Sequence, residues 1–200
     1  GSEQGFNVAV GHEAGAVMTT GTGNTLVGSL AGDSLTTGSS NTVLGYDALS
    51  TEDEYGTNTA VGYQSLKALN AGDNAYNVAV GFQTGLNIST GIQNTIIGSL
   101  AGDALTTGNY NIAIGHTALS TEDTGHKSVA IGHQALLNQN YDGDASNVAV
   151  GHNVGAAITT GTVNTLIGAF SGDALTIGNS NVAIGHQALT TEVAGDRNVA

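Results

Sequence analysis

Every seventeen or nineteen residues this chain returns to an Asn, three β-forming residues and a Gly. The motif reads NVAVG from Asn7, NTLVG from Asn24, NTVLG from Asn41 and NTAVG from Asn58. It continues from Asn77, Asn94, Asn111, Ser128, Asn147, Asn164 and Asn181, and begins again at Asn198. Three intervals of 17 and one of 19 make a super-repeat of 70 residues, which relates Asn7 to Asn77 and Asn147. The residues between the motifs follow the same period: AGDSLTTG, AGDALTTG and SGDALTIG carry Gly32-Asp33, Gly102-Asp103 and Gly172-Asp173. A fixed short period marks a quasi-one-dimensional stack in which each unit meets mainly its neighbours. Seventeen residues are too few for a helix pair or a propeller blade, and the apolar residues run in threes instead of at helical spacing. One coil of short strands and tight corners fits that length.

The expected fold is therefore all-β, a parallel β-solenoid or β-roll with 17–19-residue rungs. It occupies 1–200 as one repetitive segment, with super-repeats at 7–76, 77–146 and a partial 147–200. Because the pattern is cut at both ends, the segment reads as a piece of a longer fibre.

Composition narrows the functions. There are 31 Gly and no Pro, Cys or Trp. Cysteine chemistry and disulfides are thereby removed. Three Lys and Arg against 16 Asp and Glu give a formal charge of −13, which disfavours nucleic acid and anionic lipid as partners. No run of about 18 apolar residues is present, so no membrane insertion is expected from this segment.

Alternation along a three-residue strand sends its outer two side chains to one face and its middle one to the other. The last position is always a large aliphatic, from Val10 and Val27 to Ile167 and Ile184, and with its partner at Val8, Thr25 or Ile112 it is expected to line the inside. The middle position (Ala9, Leu26, Val43, Ala60, Ile96, Leu166) is apolar too and is expected to face another copy. A parallel sheet apolar on both faces is normally covered on both. A homotrimer or longer homo-oligomeric fibre follows, threefold closure being the natural form.

The candidate site residues are a structural ladder: Asn7, Asn24, Asn41, Asn58, Asn77, Asn94, Asn111, Asn147, Asn164 and Asn181. Stacked Asn side chains hydrogen-bond along a fibre and tolerate corner conformations. The residue after each motif Gly is His, Tyr, Phe, Ser or Ala, with His116 and His133 on consecutive rungs. That exchange argues for packing above metal binding. Acidic clusters at Glu52-Asp53-Glu54, Glu122-Asp123 and Asp142-Asp144 have the chemistry for calcium but lack the GGxGxD pattern, and read as solvated corners. Thr pairs such as Thr19-Thr20 and Thr106-Thr107 point to opposite faces and make no flat ice-matching array. No nucleophile–base pair recurs and no Gly precedes a helix, so neither catalysis, a cofactor nor a resident metal is expected.

The rungs NVAVGHEA, NTAVGYQSL, NIAIGHTAL and SVAIGHQAL resemble the haemagglutinin-type repeats of trimeric autotransporter adhesin heads. The 17-residue spacing and the NTAVGYQ wording are similar to bacteriophage tail-fibre repeats. The resemblance implies a left-handed parallel β-roll, a trimer, an extracellular place on a virion or cell surface, and a role in reach, display and host attachment through a cell-surface receptor. A phage tail fibre is the first expectation and a bacterial surface adhesin or matrix filament the second. A monomeric ice- or calcium-binding solenoid is the third.

Overall fold

A short strand forms at every Asn-to-Gly motif because β-branched and aliphatic residues favour the pleat and the flanking Gly and Asn favour turns. The computed structural model describes residues 5–200. Its strands are β1 (Val8–Val10), β2 (Thr25–Val27), β3 (Thr42–Leu44), β4 (Thr59–Val61), β5 (Val78–Val80) and β6 (Thr95–Ile97). They continue with β7 (Ile112–Ile114), β8 (Val129–Ile131), β9 (Val148–Val150), β10 (Thr165–Ile167) and β11 (Val182–Ile184). All eleven pair in parallel in sequence order as one sheet. Equivalent positions lie opposite one another, as in Thr95 against Ile112 and Ile97 against Ile114. The two 19-residue intervals keep this register, with Val61 against Val80 and Ile131 against Val150. The molecule is thus an all-β parallel solenoid of about ten turns. At about 4.8 Å per strand the sheet is about 48 Å long.

The two strand faces are the reverse of the expectation. The middle residues Leu26, Val43, Ala60, Ala79, Ile96, Ala113, Ala130, Ala149, Leu166 and Ala183 are fully buried in the coil. The flanking positions point outward: Val8, Val10, Leu44, Ile167 and Ile184 are exposed, and most of the others half-buried. The physical reason is room. The coil is narrow, and its inside also receives the eighth and eleventh residues after each Asn, so each strand has space for one inward side chain.

Volume is traded between the strand and the opposite corner. Where the middle residue is large, as at Leu26, Ile96 and Leu166, the eighth residue after the Asn is Gly: Gly32, Gly102 and Gly172. Where the eighth residue is a fully buried Leu, as at Leu66, Leu119 and Leu136, the middle one is Ala: Ala60, Ala113 and Ala130. The rungs that combine Ala79 with Gly85 and Ala149 with Gly155 are filled from beside, by Ile88 and Leu66 and by Ile158, Leu136 and Leu166. A methyl at Gly102 would lie 3.3 Å from two carbons of Ile96, and one at Gly172 would lie 3.0 Å from both methyls of Leu166. The Leu residues accept left-handed backbone to reach the core, with φ of 51° at Leu66 and 54° at Leu119. That conformation costs a non-Gly residue about 1–2 kcal/mol, which burying a Leu side chain offsets at about 1.5–3 kcal/mol.

Candidate functional site

Each Asn of the ladder precedes its strand and is buried from Asn24 onward. Its backbone N–H donates to the side-chain Oδ1 of the Asn one rung before, at 2.9 Å for Asn94 to Asn77 and 2.9 Å for Asn111 to Asn94. Its own Nδ2 donates to the carbonyl fourteen residues on, at 2.9 Å for Asn94 to Gly108 and 2.8 Å for Asn111 to Gly125, except on the 19-residue rung of Asn58, whose Nδ2 donates to the Gly56 carbonyl at 3.2 Å. One side chain therefore joins neighbouring coils and also closes its own, which satisfies corner backbone that neither strand can reach. At Ser128 the amide is missing. Gln139 stands in, donating from Nε2 to Ser128 Oγ at 2.9 Å and accepting at Oε1 from Asn147 Nδ2 at 2.8 Å.

The acidic corners are not uniformly solvated. Glu52 and Glu122 turn into the core and are fully buried, so the solvated reading fails for these two. Each occupies the eleventh position, where most other rungs carry Leu or Ile, and each precedes a 19-residue rung. Glu52 accepts from the backbone N–H of Tyr55 and from that of Ala71 on the next rung, both at 3.2 Å. Glu122 accepts from Gly125 N–H at 2.8 Å, from Gln139 Nε2 at 2.9 Å and from Tyr141 N–H at 3.3 Å. The carboxylate holds the corner that the two extra residues displace. Burial pushes both carboxyls above the ordinary Glu value, and their hydrogen-bond donors, led by the Gln139 amide at Glu122 and the Ala71 and Tyr55 N–H groups at Glu52, pull them partly back. The return of Glu at 52, 122 and 192, in a column otherwise largely aliphatic, is the sequence signal that could have revealed this inward turn.

Asp33, Asp103 and Asp173, one per super-repeat, each bury a carboxylate oxygen that has no hydrogen-bond partner among the described residues. Burial raises the Asp33 and Asp103 carboxyls. The remaining corner charges are partly paired, with Lys67 to Asp47 and Lys127 to Asp144 both at 2.6 Å. The first Thr of each pair spends its hydroxyl along the axis, Thr36 on the Asp53 carbonyl at 3.1 Å and Thr106 on the Asp123 carbonyl at 3.0 Å. Among the described residues no three His, Asp or Glu side chains converge to hold a metal ion.

Two features remain for contact with other molecules. The outer sheet face carries the columns Val78, Thr95, Ile112, Val129 and Val80, Ile97, Ile114, Ile131 without a charge. Beside it runs the column of rings. Tyr46, Tyr63 and Phe82 stack with centroids 5.5 and 5.2 Å apart, and His116, His133 and His152 with centroids 5.4 and 5.0 Å apart. Sequence reasoning placed these residues in one column but did not see that ring type changes in blocks of three.

No family model, curated protein or solved structure matches the chain. The functional reading therefore rests on the coil, its outer face and its ring column. None of the described residues forms a helix long and apolar enough to cross a membrane.

Proposed function

We propose that this chain is a shaft segment of an extracellular homotrimeric fibre, providing rigid reach and surface display for attachment. A bacteriophage tail fibre is the leading setting and a bacterial surface adhesin the second. The observation that carries the reading is the uncharged outer face of the sheet, which runs the length of the stack as unbroken columns of Val, Ile, Leu and Thr. A parallel sheet with an aliphatic face is ordinarily covered. A straight face with a period of one rung is best covered by a second straight stack of the same period, and another copy of this chain is such a stack. The contact surface is thus the face opposite to the one expected from the sequence. The buried Asn ladder supports rigidity, because bending would stretch hydrogen bonds on every coil.

In this reading the chain performs no catalysis and holds no cofactor, and its receptor contact is made by corners or by another part of the fibre. Solution mass tests the reading. The expected result is a species of about three times the 19.8 kDa chain, which Ile114→Asp on the outer face converts to a folded monomer. A wild-type chain that is monomeric at high concentration refutes it.

A further inference from the structure

The ring column changes chemistry as a block. Tyr46, Tyr63 and Phe82 occupy rungs three to five, and one super-repeat later the same places hold His116, His133 and His152. The three imidazoles are exposed and nearly parallel, with interplanar angles of 11° and 8°. Ser99 bounds the block on one side, and on the other the Phe170 ring meets His152 edge-on at 5.2 Å. Stacking alone would be served by Phe, as Phe82 demonstrates at 5.2 Å and 9°. Imidazole keeps the stack and adds a row of nitrogen donors.

We propose that this block binds one divalent transition-metal ion of the zinc, nickel or copper class through two imidazoles at a time, His133 with either His116 or His152, with water completing its coordination. Zinc–imidazole bonds of about 2.0–2.1 Å in tetrahedral geometry place two ligand nitrogens about 3.4 Å apart. Rings whose centroids are 5.0 to 5.4 Å apart reach that separation when each leans about 1 Å toward the other, and because the lone pairs of stacked imidazoles are parallel in their ring planes, each ring must also turn about its broad χ2 so that the two nitrogens converge on the ion. The rings are free to lean. The Nδ1 of His116 lies 3.4 Å from Thr117 Oγ1, and among the described residues the rings of His133 and His152 have no hydrogen-bond partner.

The side chains beside the block on the same rungs, Thr117, Gln134, Asn153, Ile114, Ile131 and Val150, are uncharged, so no cation competes at short range. Imidazole selects zinc, nickel and copper over calcium and magnesium. The formal charge of −13 concentrates cations near the surface. His133 belongs to both adjacent pairs, so the block holds one ion and not two.

Titration calorimetry of the full chain with zinc chloride or nickel chloride, in a buffer that does not chelate, tests this. The expected result is one ion per chain, removed by EDTA. His133→Phe keeps a stacked ring at the centre and is expected to weaken binding at least tenfold, because the outer two rings stand two rungs apart. His116→Phe and His152→Phe each leave one pair and should change affinity less than about threefold. Tyr46→His with Tyr63→His should create a second ion site in the equivalent block. Absence of binding, or binding that His133→Phe leaves unchanged, overturns the proposal.

Discussion

The middle and eighth positions of rung six can be given the residues of rung seven by two substitutions, Ile96→Ala and Gly102→Leu, and the pair should cost far less than its parts. Ile96 is fully buried, and truncating it to Ala empties space in the core, a loss of about 3 kcal/mol within the usual 2–5 kcal/mol range. Gly102→Leu alone drives a side chain whose first carbon already lies 3.3 Å from two atoms of Ile96, at a backbone φ of 51°. Overpacking at about 1–3 kcal/mol and left-handed backbone at about 1–2 kcal/mol make this single change cost about 3 kcal/mol as well. Together the two residues reproduce Ala113 and Leu119, which pack with no exposure one rung further on. What remains is the backbone cost of about 1–2 kcal/mol. The two single losses sum to about 6 kcal/mol, so the expected coupling is about 4–5 kcal/mol in favour of the double variant, beyond the roughly 0.5–3 kcal/mol of ordinary contacts because both changes act on one volume. Urea unfolding followed by circular dichroism, on the four chains of the cycle, measures it. Additivity within about 0.5 kcal/mol would mean that the middle and eighth positions do not share one volume, and the account of the core would fail.

Asn94→Ala strips the acceptor from the Asn111 N–H and the donor from the Gly108 carbonyl, both buried or nearly so. A loss of about 2–5 kcal/mol is expected in urea unfolding, and a loss below about 1 kcal/mol would leave the ladder without energetic weight. Gly98→Ala would place a methyl 2.6 Å from the Gly115 carbonyl oxygen at φ 127°. The expected cost is at least about 3 kcal/mol, read as a lowered thermal midpoint, and a neutral result would contradict the tight Gly column. Burial raises Glu52 and Glu122, so the folded chain keeps protons that the unfolded chain has released. Stability should then fall as pH rises from the ordinary Glu value of 4.5 through the raised folded values. Asp47, lowered by its bonds to Lys67 and Gln64 against the opposing push of burial, works the other way at a lower pH. A thermal midpoint higher at pH 7.5 than at pH 4.5, at constant ionic strength, would reverse the assignment.

The period, the strand positions and their register were legible because Asn and Gly recur at fixed intervals and parallel stacking forces equivalent residues together. The facing of the strands was not. With Val or Thr, then Ala or Leu, then Val or Ile, hydrophobicity is similar on both sides, so alternation gives the period without its phase. Two finer signals did carry the phase. Thr25, Thr42, Thr59, Thr95 and Thr165 share the outer column, where a hydroxyl can reach water, and large middle residues pair with Gly in the eighth position. The inward Glu residues were obscured by their neighbours, since Glu52-Asp53-Glu54 reads as one charged corner until its first member is placed in a column with Leu35 and Leu69.

These couplings explain why the chain repeats faithfully over 70 residues and only loosely over 17. A rung with Leu in the eighth position needs Ala or Val in the middle of its strand. A rung with Glu in the eleventh position needs a longer rung after it, because the Glu52 carboxylate bonds Ala71 and the Glu122 carboxylate bonds Tyr141 across that corner. A ring after the motif Gly stacks best on another ring. A single rung is therefore not interchangeable with its neighbour, whereas four consecutive rungs present to the next four nearly the surface that they meet themselves. The 70-residue unit is the shortest one that closes all three requirements at once. Repeating it lengthens the stack without introducing a new kind of interface. That property allows a β-solenoid to change length while every internal contact stays the same.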